Sequence, residues 1–117
     1  MRKPGVDPNN VQMSDVLCDF CHREWTEDVL FIEGHQGSCI CGPCLTQAWA
    51  DLASGRSAPA DDYLCPMCRE KNEDRAALGR ADEPGWQGAH AAICQRCMQL
   101  AATALEKDPE SGWRRPM

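Results

Sequence analysis

Four Cys-x-x-Cys pairs, two helical stripes that each begin at such a pair, and few core-forming residues predict a small α+β fold of two tandem fingers. Residues 1–14 and 108–117 are polar or lack apolar periodicity, and both ends are expected to be flexible. Between them the reading places a first finger at 15–53, a linker at 54–62 (within the polar stretch ASGRSAPADD) and a second finger at 63–107. Each half is then about 40 residues, a size at which burial alone rarely sustains a fold. Aromatic residues make up only 6% of the chain, so much of its 43% hydrophobic content is alanine and cysteine. Something other than a large core must hold such a chain together.

The pairs are Cys18/Cys21, Cys41/Cys44, Cys65/Cys68 and Cys94/Cys97. A Cys-x-x-Cys turn sets two sulphurs on one side of a tight knuckle, close to the bite of a tetrahedral zinc ion with Zn–S bonds of about 2.3 Å. Residues 1–16 contain no apolar run of the kind a secretory signal needs, which favours a cytoplasmic setting. Thiols stay reduced there, so paired cysteines read as metal ligands before they read as disulfides. These eight cysteines therefore form the expected metal set: two zinc ions, each held by four thiolates.

A repeat decides how the pairs combine. Ile40, Leu45, Ala48, Trp49 and Leu52 align at constant offset with Ile93, Met98, Ala101, Ala102 and Leu105. The last four of each set recur at i, i+3, i+4 and i+7, one face of a helix. Each helix thus starts directly at a knuckle and turns its stripe inward. The first knuckles match as well, with CDFC followed by HREWTED and CPMC by REKNED. Each half reads as knuckle, hairpin or loop, second knuckle, helix, which is the layout of a treble-clef finger. In the first half, Val29 to Ile32 suits a strand, and Ser38 to Ile40 its return. The second half has a longer insert containing Gly79, Pro84, Gly85 and Gly88, read as a loop around Trp86 with no regular hairpin.

Three groups of residues carry a family resemblance: the knuckle Cys18, Phe20, Cys21; the segment Leu30, Ile32, Gly34; and Ile40, Cys41, Cys44, Leu45 opening a helix. Over roughly 18–52 the chain resembles the four-cysteine zinc-binding domain at the N-terminus of the ClpX unfoldase. The second half matches only through its cysteines, Ile93 and the helix stripe. His22 stands where the family usually has Gly, and His35 where it usually has Pro. No G-x-x-x-x-G-K-[ST] phosphate loop accompanies the resemblance. It implies a module that dimerises and binds adaptors or substrates. Here the two fingers are expected to pair within one, mainly monomeric, chain, with a homodimer as the alternative.

Other readings stay in view. A RING-like ubiquitin-transfer adaptor would join Cys18/Cys21 with Cys65/Cys68 in crossed sites, but Gln36 and Ser38 stand where that family needs ligands. Four thiolates also satisfy rubredoxin-like iron. Cys39 is the odd thiol and reads as a half-buried hairpin residue; with His35 it is the one backup ligand set. His22 and His90 read as surface or loop histidines. Trp49 reads as core, Trp25 and Trp86 as packed loop residues or partner contacts, and Trp113 is unassigned.

No Ser/His/Asp set, paired carboxylates or thioredoxin-like context surrounds the cysteines, so no enzyme is expected. Acids outnumber bases 18 to 12 for a net charge of -6, with no basic cluster, which argues against nucleic acid. No segment reaches the length of a membrane helix. The expected partner is another protein. Elemental analysis of reduced, purified protein should find about two zinc ions per chain, one per four thiolates; one metal, or iron in its place, would overturn the two-finger reading.

Overall fold

The structure is a computed structural model that describes residues 1–56 and 62–116. Most of the expected linker, 57–61, lies outside the described residues. Each half begins with its knuckle. The amide of His22 donates to the Cys18 carbonyl at 2.8 Å, and that of Arg69 to the Cys65 carbonyl at 2.7 Å. Cys18 in turn donates to Arg23 O at 2.9 Å, and Cys65 to Glu70 O at 3.0 Å. Both turns close through a left-handed residue, His22 at φ 62° and Arg69 at φ 65°. That region is uncommon for residues other than glycine.

In the first half β1 (Phe31–Glu33) pairs antiparallel with β2 (Cys39–Cys41), Ile32 opposite Ile40. The strand lies slightly later than the apolar run suggests, with Val29 and Leu30 outside it. α1 (Gly42–Ala53) follows at once, with Cys41 at its N-cap and Pro43 in its first turn, where a missing N–H costs nothing. It ends at Gly55, whose φ of 70° suits a glycine after a helix.

The second half repeats this plan with an insertion. α2 (Asn72–Ala77) follows the knuckle, and Asp74 accepts the Lys71 amide at 2.8 Å to satisfy its N-terminus. β3 (Gly85–Gln87) then pairs antiparallel with β4 (Ala92–Cys94), Trp86 opposite Ile93. The expected loop around Trp86 is therefore corrected to a hairpin. Its first strand carries no aliphatic alternation, because ladder pairing and the burial of Trp86 fix it instead. α3 (Gln95–Lys107) starts directly after Cys94. The N-caps Cys41 and Cys94 share one backbone conformation, φ -79° and ψ 157°. The sequence repeat is a structural repeat.

One core joins the halves. Ile40, Leu45 and Ala48 lie buried together with Ile93, Met98, Ala101, Ala102 and Leu105, and α1 packs against α3. Leu30, Ile32, Trp49 and Leu52 are partly buried against the same core. The contact is reciprocal at the backbone as well. The His35 amide in the first hairpin donates to Met67 O of the second knuckle at 2.8 Å. The His90 amide in the second hairpin donates to Phe20 O of the first knuckle at 3.1 Å. Gly34 permits this approach, since a Cβ there would stand 2.8 Å from the Met67 Cα and carbonyl oxygen. Trp86 crosses between fingers too. Its ring lies 6.1 Å from Phe20, and its Nε1 donates to Asp51 Oδ2 of α1 at 2.9 Å.

Both ends, expected to be flexible, make defined contacts. Lys3 N donates to Asp15 O at 2.8 Å, and Arg2 bridges to Val16. Trp113 is buried, and its Nε1 donates to Thr46 Oγ1 on α1 at 2.9 Å. Arg115 binds Glu106 at 3.1 Å and lies 5.0 Å from the Trp49 ring. Single anchors of this kind leave no periodic trace in a sequence.

The tryptophans should separate in a stability measurement. Trp86→Ala removes a buried ring and its hydrogen bond, and should cost about 3–5 kcal/mol. Trp49 is only half-buried, and its buried Nε1 has no hydrogen-bond partner among the described residues. Trp49→Ala should therefore cost less than that range, because it also removes an unsatisfied donor. Equal losses in denaturant unfolding of the zinc-loaded variants would contradict this division.

Candidate metal centres

The knuckles and hairpins carry the eight paired cysteines to two places. The sulphurs of Cys18, Cys21, Cys41 and Cys44 lie within 4.8 Å of one another, and so do those of Cys65, Cys68, Cys94 and Cys97. Consecutive pairs join, so the crossed arrangement is not the one adopted. Each cluster takes two thiols from its first knuckle and two from the turn at a helix start, with Cys41 and Cys94 ending the returning strands.

The spacing fits a tetrahedral ion. Four sulphurs each about 2.3 Å from a zinc ion stand about 3.8 Å apart. The sulphurs of Cys21 and Cys41 are 3.7 Å apart, Cys18 and Cys44 3.9 Å, and Cys68 and Cys94 3.8 Å. A disulfide would need about 2.05 Å; all nine cysteines are free.

The surroundings favour negative sulphur. Cys18 Sγ accepts the amides of Phe20 and Cys41, both at 3.4 Å, and Cys65 Sγ accepts that of Cys94 at 3.5 Å. The first turns of α1 and α3 add the positive ends of their dipoles. Without a cation, however, the thiols of one cluster share protons among themselves. Hydrogen bonds from Cys41 and Cys44 hold the Cys18 thiol far below its ordinary range, and those from Cys65 and Cys97 do the same for Cys94. The donors move the other way. Cys41 is pushed up to about 12 by its bond to Cys18, and Cys44 and Cys97 are also raised by such bonds. Burial pushes Cys68 up to about 12. A divalent cation is the partner that lets all four sulphurs of a cluster ionise together.

Comparison with protein-family models, curated proteins and solved structures finds no match. Each four-thiol group could hold one metal ion, and a tetrahedral zinc ion fits its spacing.

The remaining candidates separate cleanly. Cys39 stays out of the cluster, buried in β2 with its Sγ donating to Leu17 O at 3.0 Å, and burial raises its thiol above the ordinary range. His35 contributes its backbone, and no histidine joins a four-thiol group among the described residues. His22 and His90 stack on each other at 3.6 Å, one from each finger. Arg80, unmarked in the sequence, reaches the second cluster. Its guanidinium donates to Cys94 Sγ at 3.5 Å and is held by Glu70 and Glu83, both at 2.9 Å. An arginine in a loop gives no sequence signal for such a role.

Metal binding must displace the protons on Cys41, Cys44, Cys68 and Cys97, so it is linked to pH. Those groups are raised, which keeps them protonated at neutral pH and makes acid the competitor of the metal. In chelator competition, apparent zinc affinity should rise steadily between about pH 6 and pH 8. Chelation at neutral pH should melt α1 and α3 in circular dichroism. Affinity indifferent to pH, or helices that survive metal removal, would show that these thiols do not carry the fold.

Proposed function

We propose that this chain is a zinc-binding protein–protein interaction module of two treble-clef-like fingers, without catalytic activity, working in the cytoplasm as an adaptor or substrate-recruiting factor. The observation that carries it is the completeness of both sulphur sets. A tetrahedral ion with four thiolate ligands has no open position for a substrate or activated water, which marks a structural site rather than a catalytic one.

The resemblance to the ClpX-type zinc-binding domain gains support from the first knuckle. His22, which stands where that family usually has glycine, adopts φ 62°, a conformation glycine takes freely. The backbone shape is kept while the residue departs. Gly34, part of the same resemblance, sits where one finger meets the other. The internal pairing of two fingers is then the single-chain equivalent of two copies joining.

A protein partner is favoured by the apolar surface that remains after this pairing. Leu100 is 58% exposed on α3, in a chain with few branched aliphatics to spare. It borders a cleft of about 140 Å³ between the fingers, lined also by Ile32, Met67 and Ala101. A second, wider groove runs beside α1 past Val29, Leu30, Pro43 and Trp113.

Proximity labelling from this chain in its own cells should mark a reproducible set of proteins. Leu100→Asp should lose part of that set while its zinc content stays intact. A set unchanged both by Leu100→Asp and by the metal-disrupting Cys44→Ser would remove the interaction reading.

A further inference from the structure

We infer that the two metal sites are chemically unequal, with Cys21 the point at which disulfides and other soft electrophiles open the first site while Arg80 guards the second. This rests on the metal-binding reading above. The halves share their knuckle hydrogen bonds, N-cap conformation and sulphur spacing, so a difference must come from what surrounds the sulphurs.

The first cluster has one cysteine open to solvent, and backbone amides are its donors from outside the thiols. Cys21 is exposed, the only one of the eight in that class. Backbone amides donate to this cluster, those of Phe20 and Cys41 to Cys18 Sγ and that of Cys44 to Cys41. Among the described residues, no side-chain cation donates to any of its sulphurs. A loaded four-thiolate zinc site carries a formal charge of about -2, and among the described residues no guanidinium draws on it here. Thiolate nucleophilicity follows this electron density and access.

The second cluster is braced by its longer insert. Arg75, buried on α2, donates to Glu70 O at 2.8 Å and Tyr63 O at 2.9 Å, and so holds the knuckle from both flanks. Arg80, with a side chain only 13% exposed, donates to Cys94 Sγ. Glu70 Oε1 also lies 3.3 Å from Cys68 Sγ, an unfavourable neighbour for a thiolate. That oxygen is offset by Arg80 at 2.9 Å and by Arg96 at 3.6 Å. Cys68 is the most open cysteine of this cluster, the other three being buried. A guanidinium bonded to sulphur withdraws charge from it and covers one approach.

The reaction is thiol–disulfide exchange. The Cys21 thiolate attacks one sulphur of an aromatic disulfide, breaking its S–S bond, forming a mixed disulfide and releasing one aryl thiolate. Cys41, whose sulphur is 3.7 Å from that of Cys21, then attacks the Cys21 sulphur. A Cys21–Cys41 disulfide forms and the second aryl thiolate leaves. Two thiolates are oxidised and one disulfide is reduced, and the metal, stripped of two ligands, departs as a divalent cation.

The test starts from protein shown by elemental analysis to carry two zinc ions, then adds excess aromatic disulfide. Released zinc is followed with a metallochromic dye, and quenched samples are mapped by mass spectrometry. Zinc should leave in two equal phases, Cys21 being modified in the first. The phases should differ by about tenfold or more, the rate factor a charge-assisted hydrogen bond carries. Arg80→Gln should accelerate the slow phase alone, and Arg80→Lys should restore part of the delay. A single phase, first modification at Cys68, Cys94 or Cys97, or an Arg80→Gln variant with both rates unchanged would overturn the inference. Should that variant fail to fold, the order of modification in the unaltered chain decides. Protein that never carries two zinc ions refutes the metal reading instead, before any reagent is added.

Discussion

Four sulphurs drawn within 4.8 Å of one another, twice over, form the constraint on which every other element depends. The strands are three residues long, and a two-stranded hairpin of that size is marginal by itself in water. The helices that follow, of 12 and 13 residues, are at the lower limit for an isolated helix. His22 and Arg69 hold left-handed backbone that the surrounding structure must enforce. Each hairpin ends at a clustered cysteine, each of these helices starts at one, and each left-handed residue directly follows one. A structural zinc ion contributes an apparent 10–16 kcal/mol or so in small peptides at neutral pH, enough to offset these weaknesses. The fully buried large side chains are few: Phe20, Ile40, Leu45, Ile93 and Met98 head them.

The clusters also govern how the fingers meet. Phe20 and Met67 occupy the same place in their respective knuckles, between the two cysteines, and both are buried. Their carbonyls accept the amides of His90 and His35 from the opposite finger. The turn that aims two sulphurs at an ion therefore also presents an acceptor to the partner hairpin. The order of one cluster and the contact with the other finger are thus linked through two backbone groups. Gly34 is the residue this geometry tolerates, since any Cβ would collide with the Met67 backbone.

What could be read from the sequence was what is local or periodic. Cysteine pairs three apart specify knuckles because the turn is built within four residues. The stripes at Leu45 to Leu52 and Met98 to Leu105 specify helices because burial of one face imposes a period. Their starts were legible for the same reason, since each knuckle fixes the backbone into which its helix grows. What stayed hidden depends on distant partners. Trp86 forms a strand because Ile93 lies opposite and Phe20 lies across the finger boundary. Trp113 is buried against the shared core, with its Nε1 on Thr46, 67 residues away in the chain. α2 was masked because REKNED reads equally as the polar counterpart of HREWTED, until Asp74 caps it.

Fusion of two fingers in one chain explains why the halves agree in some places and diverge in others. A pair of identical copies would carry the same residue at each equivalent site. Here the repeat sets Trp49 against Ala102 and Leu45 against Met98, large against small and branched against flexible, while all four pack on one shared core. A single core filled from two sides needs complementary volumes rather than equal ones. The parts that build the clusters are under the opposite demand, since four sulphurs about one ion leave no room for variation in spacing. Hence the N-caps at Cys41 and Cys94 coincide in φ and ψ while the helices that follow them differ in composition. Divergence is then concentrated where neither the ion nor the shared core restrains it, in the insert between Cys68 and Cys94. That insert carries α2, Arg75 and Arg80, and through them it changes the surroundings of one cluster without altering its geometry.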